Sequence, residues 1–365
     1  MGSLRLVDIS KRFDRVEALK DVDLEIYDGE YAVVLGPTGA GKTTLLRIIA
    51  GLLRQDNGEV YINEVQVDDL PPEERGVALF FQNFALFPHM TVLDNVAFSL
   101  RVKGLSLEES ERKAMDILRM VHLDHRAYSY PRELSGGMQQ RVALARTIAA
   151  GVDILLLDEP LSQLDAKIKS EIQYELRDLA KSLGLTVLHV TNDVEEALAV
   201  ADRIAILNKG EIVQVGTPVE IMENPKTAFV ASFIAEMNLM EGVVEESSEN
   251  RVVVDIGGGF KVESSRNGFK KGELVIVGVK PSSFKIGGDG KNGLTGKVED
   301  WVFSFGFRRV TVQLDNGSRV SVKTERKDIE RGSSISLTVD PRDVYLFPYL
   351  KGGLRTVLAE VSGVF

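Results

Sequence analysis

Eight consecutive residues, Gly36-Pro37-Thr38-Gly39-Ala40-Gly41-Lys42-Thr43, place glycines, a lysine and a hydroxyl at the spacing G-x-x-x-x-G-K-[ST]. Such a loop turns its backbone N–H groups inward as an anion nest, and a helix starting directly after it adds its positive end. Lys42 neutralises terminal phosphates, Thr43 offers a hydroxyl to Mg²⁺, and Thr44 extends the polar set. The chemistry is binding of Mg-ATP. A second feature is Asp158-Glu159, which ends the apolar run Ile154-Leu-Leu-Leu157. Asp158 would hold Mg²⁺ directly or through water, and Glu159, one residue further, would polarise an attacking water. Alone, such an acidic pair reads as a cap or an ion pair; a phosphate loop in the same chain favours catalysis. The third feature is Leu134-Ser135-Gly136-Gly137-Met138-Gln139-Gln140-Arg141. Ser-Gly-Gly before a helix is a second anion nest, and one nucleotide does not need two. It also reads as an N-cap, with Ser135 starting the helix that carries Val142, Leu144 and Ala145. Both readings can hold together.

These residues need rigid supports, and the surrounding sequence supplies them. Leu4–Ile9 and Val22–Ile26 alternate as strands, and Asp28-Gly29 marks a turn before the apolar run Tyr31–Leu35. From Lys42 to Leu53, apolar residues at 45, 46, 48, 49, 52 and 53 have helical spacing, which completes the strand–loop–helix context of a phosphate loop. Residues 104–123 carry Met115, Leu118, Val121 and Leu123 on an amphipathic helical stripe, and Ile172, Leu176, Leu179 and Leu183 form another. Ile154–Leu157 and Leu185–Val190 read as buried parallel strands. Ile204–Leu207 and Glu211–Gln214, split by Asn208-Lys-Gly210, read as a hairpin. The alternation predicts a three-layer α/β domain up to about residue 235.

After Met237 the texture becomes short alternating segments such as Arg251–Ile256 and Val310–Leu314, separated by Gly and Ser. A repeat is visible within it. Lys271-Gly272 leads through an apolar strand to Pro281, and Arg331-Gly332 does the same to Pro341, with Gly preceding Pro by nine positions in both. Two related halves of a small β-barrel would produce this; two ordinary strands are the alternative.

Composition sets outer bounds. At 365 residues the chain is long enough for at least two domains. It has no cysteine, which removes disulfides, thiolate metal sites and thiol nucleophiles. Its four histidines, His89, His122, His125 and His189, are too scattered for a His-rich metal site. The formal net charge is -10; residues 238–365 hold 19 Lys+Arg against 17 Asp+Glu, so the acidity lies in residues 1–237. An acidic body argues against nucleic acid as the main partner. No apolar run approaches a bilayer-spanning length and the N-terminus has no apolar signal core, so a soluble, cytoplasmic chain is expected unless something docks it to a membrane.

In their order along the chain, these motifs resemble those of ATP-binding cassette (ABC) ATPases, over residues 4–237. In that family the Ser135-Gly136-Gly137 signature caps the γ-phosphate of a nucleotide held by a partner subunit, with Gln139 beside it; this implies a homodimer. The resemblance implies further roles. Gln82, after Leu79-Phe-Phe81, corresponds to a glutamine that senses Mg²⁺ and the attacking water. Asp165, in Ser162-Gln-Leu-Asp165, corresponds to the loop at the dimer seam. Phe13 stands where an aromatic stacks on adenine, with a core aromatic as the other reading. The family usually has His at the position of Asn192, where it contacts the γ-phosphate and orients the water. Asn donates one amide hydrogen bond there but carries no charge. His189 is three residues away, and strand alternation points it to the opposite face. Three readings follow: a slow ATPase, sufficiency of Glu159, or a functional change at this position.

The β-rich tail, through Gly278-Val-Lys-Pro281 and Asp343-Val-Tyr-Leu-Phe347, resembles the accessory domain of importer ATPases of the sugar, polyamine, ferric-ion and oxyanion types. The implied fold is an α/β P-loop ABC ATPase domain over residues 1–237, with a helical subdomain at about 88–150. A small all-β, OB-like barrel follows at 238–365. The implied function is that of an ATP-hydrolysing motor subunit at the cytoplasmic face of the membrane. ATP and Mg²⁺ are its cofactors and integral membrane permease subunits its partners. An extracytoplasmic solute-binding protein is an indirect partner, and nucleic acid is not one. The alternatives are a soluble ABC ATPase acting on DNA or the ribosome, and a weakly hydrolysing regulatory module. Phe80, Phe81, Phe84, Leu86, Phe87 and Met90, around Gln82, read either as core or as a groove for a permease helix.

Overall fold

Apolar runs with no polar alternation must be covered on both faces, and in this chain they become the inner strands of a parallel sheet. A computed structural model describes residues 2–80, 86–161, 166–287, 290–304 and 306–362. They fall into two units, Met1–Val219 and Glu220–Phe365. Among the described residues, the central sheet of the first unit has six strands. Their order is Glu211–Gly216, Arg203–Asn208, Tyr31–Leu35, Thr186–Thr191, Ile154–Asp158 and Val77–Phe80. All neighbours are parallel except the Glu211–Gly216 edge. That edge is the expected hairpin, with Glu211 opposite Asn208. Lys209 and Gly210 take left-handed conformations at φ 48 and 82, as a two-residue turn matched to strand twist requires.

One face of this sheet receives the helix Lys42–Ile49 and an antiparallel sheet ordered Val16–Ile26, Leu4–Phe13, Asn57–Ile62, Val65–Gln66. Their common core joins Leu6, Ile26 and Val60 to Leu45 and Ile49 of the helix, and to Val34 and Leu156 of the central strands. The helix is shorter than the apolar spacing to Leu53 suggests. The Arg75 guanidinium accounts for its end: it donates to Ile48 O at 2.9 Å and Ile49 O at 3.2 Å, satisfying last-turn carbonyls that water would otherwise have to reach. The other face of the central sheet packs against the helices Ala166–Ser182 and Val194–Val200.

Within the same unit, the helices Val92–Val102, Leu107–Met120 and Gly136–Ala149 build a helical subdomain. Its core contains Val96, Leu100, Ala114, Leu118, Val142 and Ala145. Of the stripe expected over 104–123, Leu118 lies on the helix, while Val121 and Leu123 are buried in the turn after it.

The second unit is β-rich, with two five-stranded antiparallel sheets among its described residues. One is ordered Lys261–Ser264, Arg251–Asp255, Asn238–Ser248, Leu274–Val279, Val344–Pro348. The other is ordered Lys285–Ile286, Ser334–Thr338, Leu294–Ser304, Phe307–Leu314, Arg319–Thr324. Both contribute to one core, including Val252, Val254, Val277, Val310, Val322 and Leu337, in the OB-like manner expected.

The sequence repeat is structural. Gly272 and Gly332 stand at φ 87 and 80 and donate to Val244 O at 2.7 Å and Val298 O at 2.8 Å. The N–H groups of Val244 and Val298 in turn donate to Glu273 O and Ser333 O, both at 2.9 Å. A register shift follows both Val244 and Val298. After Pro281 and Pro341 the two halves exchange their last strands: Lys285–Ile286 joins the second sheet and Val344–Pro348 the first. The helix Ala228–Phe233, which sequence reading places before the boundary at Met237, packs with this unit. Ala228, Ala231 and Met237 share a cluster with Ile276, Phe347 and Val357.

Candidate active site

The phosphate loop leaves the C-terminal end of the inner strand Tyr31–Leu35, where a crevice outside a parallel sheet ordinarily binds ligands. Its glycines are required by space. A Cβ on Gly36 would lie 2.1 Å from Leu207 O, and one on Gly41 would lie 2.3 Å from Ala18 O. Gly41 also sits at φ 107 as the residue preceding the helix Lys42–Ile49. That helix has no side-chain cap, whereas those beginning after Thr91, Ser106, Ser135 and Asp193 all do. Uncapped first-turn N–H groups over a glycine loop are the donors an anion needs.

Lys42 reaches back across the loop, its Nζ donating to Gly36 O and Pro37 O, both at 2.9 Å. Burial pushes its ammonium below the usual lysine range, against the pull of Glu159 and Asp158. Thr43 Oγ1 donates to Asp158 Oδ1 at 3.2 Å, so strand and loop helix converge as their motifs imply. Burial raises the Asp158 carboxyl above the usual range, opposed by Thr43, Arg47 and Lys42. A hydroxyl and a carboxylate form an incomplete set of hard oxygen donors, which suits an ion that arrives with phosphate and water oxygens of its own. Glu159 stands at φ 44, a conformation that is uncommon for a non-glycine residue and accumulates at functional sites. Its N–H is fixed on Val190 O at 2.9 Å.

The next strand, Thr186–Thr191, brings the third wall. Thr191 O accepts from Gly36 N at 3.3 Å, so the start of the phosphate loop is tied to the residue before Asn192. Asn192 is exposed, in the turn between this strand and the helix Val194–Val200. His189 is fully buried, with Nδ1 3.2 Å from the Tyr31 hydroxyl and Nε2 3.0 Å from Glu196 Oε1. Its ring is therefore engaged inside the fold, as strand alternation away from position 192 implies. Sequence reading missed Glu196, Lys169 and Thr191, which surround that turn. The one available signal was a glutamate at an inward position beside Ala197 and Val200.

Ser135 caps the helix Gly136–Ala149, accepting from Met138 N at 3.4 Å; Ser135 and Gly136 are exposed. The Gln139 amide donates within the chain to Pro131 O at 3.1 Å and Leu134 O at 3.2 Å. This helix packs on the strand Val77–Phe80 and on the two other subdomain helices. Phe13 is 45% exposed, opposite Val16 at the end of its strand, with Lys11 Nζ 5.6 Å from the ring centre; it is not a core aromatic. Gln82 and Asp165 lie outside the described residues, as do Phe81 and Phe84. Of the remaining cluster, Phe80 is core, while Leu86, Phe87 and Met90 are half-buried. The Phe87 ring lies 4.8 Å from that of Phe98.

Comparison with known proteins adds independent findings. A family model described as ABC transporter matches residues 19–162, and one described as TOBE domain matches residues 277–347. A curated relative from Thermotoga maritima, the spermidine/putrescine import ATP-binding protein PotA, is 44% identical over 287 residues, covering 78% of each chain. The protein of the same description from Vibrio vulnificus is 41% identical over 323 residues, 87% of this chain and 86% of the relative. Among solved structures, a dimeric bacterial ABC transporter cassette matches with a TM-score of 0.54 and 36% identity. It covers 59% of this chain and 98% of that one. A dimeric post-hydrolysis state of the same cassette, bound to ADP and Pi, matches equally.

Proposed function

The chain belongs to the ATP-binding subunits of ABC importers that carry a C-terminal β-domain, and on that premise we propose how its residues divide the work. It is an ATPase, the motor that couples ATP hydrolysis to solute uptake through a separate membrane permease, and it works as a dimer. The loop Gly36 to Thr43, with Thr44, holds the nucleotide phosphates, Lys42 turning from its loop carbonyls to the terminal phosphates. Thr43, Asp158 and Gln82 would hold Mg²⁺, which neutralises phosphate charge when bound. Phe13 supports the base from its exposed position. Glu159 polarises the attacking water, and Asn192 supplies an amide where the family usually has an imidazole. Ser135, Gly136, Gly137, Gln139 and Asp165 serve the nucleotide of the partner subunit.

The observation that carries this reading is the convergence of Lys42, Thr43 and Asp158 on an uncapped helix start, beside a glutamate at positive φ. We assign nucleotide work to residues 1–237, with the helical subdomain at about 88–150, and accessory or regulatory work to 238–365. Half-buried Leu86, Phe87 and Met90 offer the permease an apolar groove. Docking there places the chain at the cytoplasmic face of the membrane, fed indirectly by an extracytoplasmic solute-binding protein. The printed names of the relatives make spermidine and putrescine the cargo to test first.

The test is Glu159→Gln, which removes the base and keeps the shape. Turnover should fall by roughly 10²–10⁴-fold, while ATP binding persists and an ATP-dependent dimer accumulates, seen by light scattering. A variant that stays monomeric in saturating Mg-ATP would count against this assignment.

A further inference from the structure

We propose that Thr191 and Glu196 are positioning residues for hydrolysis: a buried hydroxyl–carboxylate strap, anchored by His189 and Lys169, that sets where the Asn192 turn stands against the phosphate loop. The proposal rests on the reading of Asn192 given above. Thr191 makes contacts in three directions. Its hydroxyl donates to Glu196 Oε2 at 3.1 Å and accepts from Asp193 N at 3.1 Å. Its carbonyl accepts from Gly36 N at 3.3 Å. The residues on both sides of Asn192 are thereby pinned to one group, and that group is pinned to the start of the phosphate loop.

The strap is stiff because its far end is buried charge. Glu196 is 1% exposed, a position a carboxylate holds only when it is paired. Burial works against its charge, yet His189 and Lys169 keep its carboxyl below the usual range. Lys169 Nζ lies 3.1 Å from Glu196 Oε2 and 2.7 Å from Asp193 Oδ2, so one cation on the helix Ala166–Ser182 grips the cap and first turn of the helix that follows Asn192. Asp193 Oδ1 accepts from Glu196 N at 2.9 Å, closing the loop through the cap of the helix Val194–Val200. On the strand side, His189 stands 3.0 Å from Glu196 Oε1 and is itself held by the Tyr31 hydroxyl. A cap alone would need Asp193 and nothing behind it. The buried set behind it restricts the turn itself, which matters for a short amide side chain that must reach a phosphate from an otherwise exposed position.

The experiment uses the full chain and four variants: Thr191→Val, Thr191→Ser, Asn192→Ala and the double change Thr191→Val with Asn192→Ala. Steady-state ATPase gives kcat and KM, and a fluorescent ATP analogue gives affinity. Thr191→Val should lower kcat about tenfold, with KM and analogue affinity within about twofold of the parent, since one hydrogen bond to a charged group is lost away from the ground-state contacts. Thr191→Ser restores the hydroxyl and should stay within about twofold of the parent. The double variant should be no slower than Asn192→Ala alone, because both changes remove the same contact. A parental kcat in Thr191→Val overturns the strap while leaving the reading of Asn192 intact if Asn192→Ala is slow. Affinity and kcat falling together, without rescue by serine, overturns it in favour of a structural role. A parental kcat in Asn192→Ala overturns both readings. Should Thr191→Val fail to fold, Glu196→Gln replaces it. That change keeps an acceptor for Thr191 but loosens the anchors, so kcat should fall about threefold at unchanged KM; an unchanged kcat overturns the proposal.

Discussion

The two units solve the problem of burying side chains in opposite ways. Among the described residues, the buried acidic and basic side chains Glu30, Lys42, Arg75, His189 and Glu196 all lie in the first unit. In the second, the buried polar groups are Ser264, Asn292, Thr338 and the Tyr345 phenol, which donates to Glu223 O at 2.9 Å, around an aliphatic, largely valine core. A buried charge costs several kcal/mol unless it is compensated, and in the first unit Arg75 is compensated by helix carbonyls and Glu196 by Lys169. The strand types follow the same division. Inner parallel strands end together at one edge of the sheet and deliver Gly36, Asp158 and Thr191 to one place. The antiparallel sheets of the second unit deliver no comparable convergence, and their short repeated halves are held by ladder hydrogen bonds and an apolar core.

This contrast can be broken experimentally. The largest effect is expected in the second unit. Leu337→Ala opens a cavity in a fully buried position and should destabilise that unit by about 2–5 kcal/mol. ATP affinity should be unchanged, as measured by two-probe thermal unfolding alongside nucleotide titration. Parallel loss of ATP binding would show that the two cores are not energetically separate. The next effect lies in the site. Asn192→His should raise kcat by roughly 10- to 100-fold, as a charged hydrogen bond replaces a neutral one near the γ-phosphate. Equal turnover in the two proteins would place the limiting step elsewhere.

The smallest effect sharpens the boundary. A chain ended at Val219 should bind ATP within about threefold of the full chain and form weaker dimers. A chain ended at Met237 keeps Ala228, Ala231 and Met237 but loses Ile276, Phe347 and Val357, which cover them. It should bind ATP equally and aggregate more readily. Analytical ultracentrifugation with nucleotide titration compares the two. Equal solubility would show that the helix Ala228–Phe233 does not depend on the second unit.

Much of the site was legible because its chemistry depends on local spacing. The glycines of the phosphate loop, Lys42, Thr43 and the acid pair after Ile154–Leu157 are each defined within one strand–turn unit, and period and turn residues are enough to find such units. The repeat through Gly272 and Gly332 was legible for the same reason, since each copy encodes the same left-handed turn and strand. Three features were not. The end of the helix at Ile49 is set by Arg75, and no local signal connects the two. The exchange of final strands between the halves of the second unit depends on which edge is open after the other strands have paired. The exposure of Phe13 depends on what packs against its strand end.

By itself, then, the sequence determined the motifs, their order and the strand–loop–helix contexts that give each one its chemistry, because these are set by backbone dihedrals and periodicity over a few residues. Tertiary structure alone decided which buried polar side chains share a partner. His189, Glu196, Lys169 and Tyr31 are ordinary residues in separate segments, and their pairing exists only because the strands Tyr31–Leu35 and Thr186–Thr191 lie side by side under two helices. The low-dielectric space between those layers makes an unpaired charge costly, and no spacing rule along a single chain encodes that requirement.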